Sequence, residues 1–165
     1  MNYEVKYPVS FQTIDCCIIR LIEDESSPFK GKAQLLMGKK PTQDKFRFIG
    51  GFVDPSDLSL EDAAVRELHE EAGINLECSK PKYLFSNRQD DERYQDSPHK
   101  ILTAVFLFQY LFGYAKAGDD IAEVKWFDYL DLKENYKNLI VTTHYPLMEK
   151  IIEFGNFKLL TLFKL

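Results

Sequence analysis

Apolar and polar positions run along the chain in short blocks whose period changes. Residues 13–22 (TIDCCIIRLI) are rich in β-branched side chains and predict a buried strand. A polar stretch over 23–32 predicts a loop, 33–37 a second strand, and 38–44 a turn. Lys45, Phe46, Arg47, Phe48 and Ile49 then alternate, predicting a half-buried strand that ends at the pair Gly50 and Gly51. There the backbone is free to turn sharply or to approach a ligand closely. The period lengthens over 60–72, which has helical spacing, with Ser59 as N-cap, Asp62 completing an approximate capping box, and Gly73 as the stop. With Gly73 left-handed, Ile74 would fold back on Leu68.

Beyond this helix, 82–86 and 101–112 predict strands flanking a long polar connection, 87–100, of the kind that is usually functional or mobile. Residues 123–127 predict a short strand carrying the single Trp, and 128–138 a polar connection. A second helix is expected over 143–154, closed by Gly155. The apolar segment 157–165 would either finish the sheet or meet a second copy of the chain. Strands interspersed with two helices, with no internal repeat, indicate an α/β layered fold.

Composition narrows the class. With 165 residues, 45% hydrophobic and 28% charged, the chain suits a single domain over 1–165 with a real core, and disordered or low-complexity readings fail. A net charge of -5 argues against a nucleic-acid partner, and it means that an anionic substrate would need local compensation, which carboxylate-held metal ions supply. Cys16 and Cys17 are adjacent and Cys78 is distant, so neither a disulfide framework nor a zinc pair is spelled out, and a reducing cytoplasm is expected. Tyr3, Glu4 and Lys6 interrupt any secretory signal, and the longest apolar run, 101–108, is too short to span a membrane.

The chemistry concentrates on the first helix. Leu60, Ala63, Ala64, Glu67 and Glu71 follow one another at steps of three or four, so an apolar stripe turns acidic on one face. Three glutamates, Glu67, Glu70 and Glu71, are most often a solvated face in a generic helix. Carboxylates at i and i+4 can also converge on a hard divalent ion. The wider pattern favours the ion. Arg66-Glu67-Leu68-His69-Glu70-Glu71-Ala72-Gly73-Ile74 resembles the core of the Nudix box, R-E-U-x-E-E-x-G-U with U aliphatic, at all seven specified positions. Upstream, Gly51, five residues and Asp57 follow the pattern with Asp in place of Glu, and eight residues rather than seven separate Asp57 from Arg66.

The resemblance implies an α/β/α sandwich with a mixed sheet that hydrolyses a nucleoside diphosphate linked to another group, using Mg2+ or Mn2+. Carried over residue by residue, Glu67 and Glu71 are metal ligands and Glu70 is a further ligand or a partner of Arg66. Arg66 orients the glutamates, and a carbonyl of the Gly50–Gly51 turn, at Gly51, completes the shell. Leu68 and Ile74 would pack. In many relatives the general base comes from a loop before a late strand; here that loop is 117–123, with Asp120 the choice and Asp119 and Glu123 close behind. Arg47, Arg88 and Arg93 are candidate phosphate clamps, because guanidinium pairs bidentately with phosphate, against a plain surface charge for each. Phe85 or Tyr94, or else Phe11 or Phe46, would stack on a nucleobase, although most aromatics must serve the core. His99 and His144 read as structural.

A Nudix pyrophosphohydrolase of the ADP-ribose or nucleoside diphosphate sugar type is therefore expected, taking a small-molecule substrate. The alternatives are a nucleoside triphosphate or dinucleoside polyphosphate hydrolase, and a Nudix-like domain that senses a nucleotide without cleaving it. Many relatives are dimers, and a homodimer fits the apolar terminal segment.

Overall fold

The computed structural model describes residues 7–23, 25, 31–91 and 94–157, for 155–157 the backbone alone. In chain order the elements are β1 (Ser10–Glu23), β2 (Gly31–Lys39), α1 (Leu60–Ala72), β3 (Leu76–Cys78), β4 (Lys82–Gln89), β5 (Lys100–Gly113), β6 (Glu123–Asp128), α2 (Tyr129–Leu139), a 3-10 turn (Thr142–His144) and α3 (Tyr145–Phe157). The six described strands form one mixed sheet in the order β3-β5-β1-β2-β6, with β4 also paired to β5. β1 lies at its centre, parallel to β5 and antiparallel to β2.

Both faces of β1 are buried, which explains its near-continuous apolar run. Ile14, Cys16 and Ile18 point to one face and pack under Ala63, Ala64, Leu68 and Ala72 of α1. Cys17 and Ile19 point to the other, under Leu132 of α2 and Leu147, Met148 and Ile151 of α3. The result is the expected α/β/α sandwich. The three alanines bring α1 close to the sheet, and burial of Leu68 alone contributes roughly 1.5–3 kcal/mol. No helix among the described residues is long and apolar enough to cross a membrane.

Helix α1 begins and ends where its sequence predicts. The Ser59 hydroxyl accepts from the Asp62 amide at 3.0 Å, and the Gly73 N–H donates to His69 O at 3.1 Å. The exit differs from expectation. Gly73 has φ 93° and ψ 144°, so the chain leaves the helix extended, and Ile74 stays 73% exposed instead of packing on Leu68.

Three other expectations are corrected. Residues 45–49 form no continuous strand: Phe46 bridges to Ile140, Arg47 to Gly38 and Ile49 to Cys16, so the segment passes between partners instead of pairing along one. The polar stretch 128–138 is mostly helix α2. Its pattern hid this because only Leu132 is fully buried, while Asp128 caps it by accepting from the Leu130 amide at 2.9 Å. Helix α3 runs on past Gly155 to Phe157. The short strand β3 escaped notice, and the terminal segment from 158 onward lies outside the described residues.

Candidate active site

Glu67 and Glu71, one turn apart on α1, are only 7% and 3% exposed. They face the backbone of Gly50 and Gly51, which is stitched to β1 by Ile14 N–H to Gly51 O at 2.9 Å and Cys16 N–H to Ile49 O at 2.7 Å. The Gly50 N–H donates to Glu71 Oε2 at 2.8 Å. At Gly51 the Glu67 carboxylate occupies the space a side chain would need: a Cβ there would lie 2.6 Å from Glu67 Oε1. The two glycines thus permit two largely buried carboxylates to approach main chain.

Arg66 organises this ridge. Its Nε and Nη2 pair with the two oxygens of Asp57 at 3.0 and 2.9 Å, and Nη2 also reaches Phe52 O at 3.0 Å. Its Nη1 donates to Glu67 Oε1 and Glu70 Oε2, each at 2.8 Å. The extra residue before Arg66 does no harm, because a turn over 54–57 closes through Asp57 N–H to Asp54 O at 2.9 Å and presents the Asp57 carboxylate to the guanidinium. Asp57 is held below the usual carboxylate range chiefly by that hydrogen bonding. Glu70 pairs with Arg66, with its side chain 47% exposed, and does not line the cavity.

The loop after β5 closes over the C-terminal end of α1. Gly118 N–H donates to Glu71 O at 3.2 Å, and a Cβ on Gly118 would strike Glu70 O at 2.4 Å. Asp119 follows with φ 48°, and Asp120 is hydrogen-bonded to Glu71 and paired with Lys40 at the end of β2. Burial pushes Glu71 up to about 8 against the Gly50 N–H, with the charges of Glu67 and Asp120 adding to the rise. Burial likewise raises Glu67 against Arg66. For Asp120 burial is outweighed by the Lys40 ammonium, and the group is lowered. Glu123 pairs instead with Lys39 at 2.5 Å and does not line the cavity.

These groups open into a cavity of about 820 Å³. Its acidic end holds Glu67, Glu71, Asp119 and Asp120, with Lys40 and Arg47 as cations beside them. The far wall comes from the opposite face of the sheet. There Asp15, 4% exposed, accepts at Oδ2 from Thr103 Oγ1 at 2.6 Å and from Gln89 Nε2 at 3.2 Å. Burial raises it to about 7, against Thr103 and Arg47. His144 is stacked on Phe48 and accepts the Phe48 N–H at Nδ1 at 3.2 Å, and burial lowers it to about 3. It is neutral and structural, as its sequence context suggests, yet it also lines the cavity.

Of the expected substrate contacts, Arg47 is on the cavity. Phe85 is corrected: it is buried in the core against Phe154, ring centroids 5.6 Å apart, because its alternate position on β4 points inward. Arg88 is also corrected, since it is solvent-exposed and pairs with Asp90 at 2.8 Å away from the main cavity. Arg93 lies outside the described residues. Phe46 packs edge-on against Phe127 in the core, and Phe11 packs with Tyr94 and His99. Sequence reasoning missed Thr13, Asp15, Lys40 and Gln43. For Asp15 a signal existed, an acid in the middle of an otherwise apolar strand.

The side chains suit a hard divalent cation: two buried carboxylates, all-oxygen donors, beside the Gly50–Gly51 turn. Among the described residues no three acidic, His or Cys side chains already converge as a metal group, so the cradle is the pair Glu67 and Glu71 against Gly51.

The NUDIX domain model matches residues 21–150. An ADP-ribose pyrophosphatase of Methanocaldococcus jannaschii is 31% identical over 110 residues, which cover 67% of this chain and 54% of that protein. The chain thus spans about half the length of that relative. Among solved structures, the NUDIX domain of Shewanella oneidensis NrtR complexed with ADP ribose aligns with a TM-score of 0.68 at 19% identity, covering 92% of this chain and 93% of that one. A bifunctional NMN adenylyltransferase/ADP ribose pyrophosphatase from Francisella tularensis, complexed with AMP and an Mn ion, aligns at 0.59 and 22% identity, covering 90% and 43%. At these identities the structures speak for the fold.

Proposed function

The chain belongs to the Nudix domain family, and from that premise we propose that it hydrolyses the pyrophosphate bond of a nucleoside diphosphate derivative of the ADP-ribose type, with Mg2+ or Mn2+. The observation that carries this reading is the pair of buried carboxylates, Glu67 and Glu71, set against Gly50 and Gly51 at one end of a cavity that also holds Lys40 and Arg47.

Glu67, Glu71 and the Gly51 carbonyl would hold the ion, which when bound neutralises pyrophosphate oxygens and makes water a stronger nucleophile. The Gly51 carbonyl already accepts from Ile14, which fixes its direction and leaves its second lone pair free. Arg66 keeps Glu67 in place through Asp57 and does not itself reach the cavity. Arg47 and Lys40 clamp phosphate oxygens. Asp120 is the general base: Lys40 keeps it ionised, and its contact with Glu71 places it beside the cradle. A cytoplasmic location goes with this reading, in line with three unpaired cysteines.

The test is a panel of ADP-ribose, sugar nucleotides, NADH, dinucleoside polyphosphates and nucleoside triphosphates, assayed with Mg2+ or Mn2+ for wild type and Glu71→Gln. Metal-dependent cleavage of ADP-ribose or a sugar nucleotide, lost in the variant, is expected. Cleavage of nothing on the panel together with tight ADP-ribose binding would leave a nucleotide-sensing domain instead, and full activity in the variant would defeat the metal-hydrolase assignment.

A further inference from the structure

Buried side-chain polar atoms normally find a partner. Four among the described residues make no hydrogen bond to the protein: Thr13 Oγ1, Gln43 Oε1, Arg47 Nε and Tyr129 OH. Three of these four residues line one cavity, and Thr13, only 7% exposed, sits in its far wall. Such a concentration of unspent hydrogen-bonding capacity points to a ligand group that takes it up.

The far wall has a definite pattern. Thr13 and Asp15 are two apart on β1 and therefore share a face of the sheet. Asp15 Oδ2 is already occupied by Thr103 and Gln89. Oδ1 lies 3.7 Å from His144 Nδ1, but that nitrogen accepts the Phe48 N–H and so has no proton to offer. Oδ1 is thus an acceptor without a donor among the described residues, on the same face of β1 as a hydroxyl that can donate. Apolar Ile101 and Val141 and the ring of Phe52 line the same cavity. The glutamate pair takes the phosphates, and Arg47, whose charge acts on both Asp120 and Asp15, stands between the two ends, so the part of a substrate beyond its phosphates reaches this wall.

We propose that Thr13 and Asp15 form a base-reading subsite for an amino-substituted heterocycle, the edge that adenine and cytosine share, with Asp15 Oδ1 accepting from the exocyclic amino group and Thr13 Oγ1 donating to the neighbouring ring nitrogen. Hypoxanthine and uracil, with a carbonyl in place of the amino group, set oxygen against oxygen at Asp15. The subsite deepens the proposed function and rests on that reading for the phosphate end of the ligand.

The test is calorimetric binding at pH 8.5, without divalent metal so that nothing is cleaved, of ADP-ribose and of its deaminated counterpart, in which the 6-amino group is replaced by oxygen. Wild type should bind ADP-ribose at least tenfold more tightly. Asp15→Asn, whose amide can donate to the carbonyl, should abolish or reverse that ratio. Thr13→Val should reduce the ratio at least threefold with an unchanged Tm, because the hydroxyl it removes has no protein partner, and it decides the matter should Asp15→Asn fail to fold. Equal binding of the two ligands by wild type, or a ratio untouched by either variant, overturns the subsite. Preference for ADP-ribose without hydrolysis of any panel compound would defeat the enzyme reading and leave the subsite standing. Hydrolysis of both ligands with equal affinity would do the reverse.

Discussion

Adjacent glycines in the turn between β2 and α1 should fail in different ways when each is given a methyl group. At Gly50, φ is 148°, and a Cβ would lie 2.1 Å from Ile14 O and 2.9 Å from Asp15 Cα. Ordinary heavy-atom contact begins near 3.5 Å, so roughly 1 Å of main-chain movement is needed. That movement must open buried hydrogen bonds that stitch the turn to β1, at about 1–3 kcal/mol each, and positive φ adds about 1–3 kcal/mol. Gly50→Ala should therefore lose on the order of 4 kcal/mol and lower Tm by roughly 8–16 °C. At Gly51 the obstacle is the Glu67 carboxylate, 2.6 Å away at Oε1, and no positive φ applies. A side-chain end can swing aside, so stability should change by no more than about 1 kcal/mol. The swing, however, breaks the 2.8 Å bond from Arg66 and displaces Glu67 from the cradle. A displaced ligand of about 1 Å costs on the order of 10²-fold in kcat/KM. Thermal unfolding and ADP-ribose hydrolysis of the two variants, side by side, test this. A Gly51→Ala protein with wild-type turnover and metal affinity, or a Gly50→Ala protein with wild-type Tm, would refute the role given to the turn.

Other outcomes follow from the ridge. Burial holds a proton on Glu71 up to about 8 in the folded, metal-free protein, whereas the unfolded chain releases it near the ordinary glutamate value of 4.5, so this group makes stability fall as pH rises between those values. Glu71→Gln should remove that slope: Tm equal to wild type near pH 5 and higher by pH 9, by up to about 4 kcal/mol in stability, while equal slopes would show that Glu71 ionises freely. Lys40→Met should move the acid limb of the pH–rate profile upward, since Lys40 is what holds Asp120 low; an unmoved limb would transfer the base role to Asp119 or another group. Asp57→Ala should reduce kcat severalfold with little change in KM, because Arg66 loses its bidentate anchor and lets Glu67 wander. A purely KM effect there would mean that Arg66 meets substrate directly.

Helix α1 was legible to the residue because all its determinants are local: a hydroxyl cap at Ser59, helical periodicity, and a glycine at Gly73. The acidic ridge was legible for the same reason, since i and i+4 on a helix fix which side chains share a face. Helix α2 was not, because a helix that buries one leucine leaves a polar pattern indistinguishable from a loop. Phe85 and Arg88 show a second limit. They are three apart on one strand, and only the pairing of β4 with β5 decides that the first enters the core and the second meets solvent.

The sequence by itself therefore determined what neighbouring residues can settle among themselves: the layered α/β class, the acidic glutamate face of α1, and the glycine turn opposite it. Tertiary structure alone decided what depends on residues far apart in the chain. It brought Asp57 onto Arg66 despite an extra residue, set Lys40 beside Asp120 across 80 positions, and made Asp15 accept from Thr103 and Gln89 on two other strands. The physical reason is the range of the forces. Capping and periodicity act within a few residues, whereas burial, which shifts Glu71 and Asp15 and leaves the Thr13 hydroxyl without a partner, exists only once the sheet and its helices have closed around them.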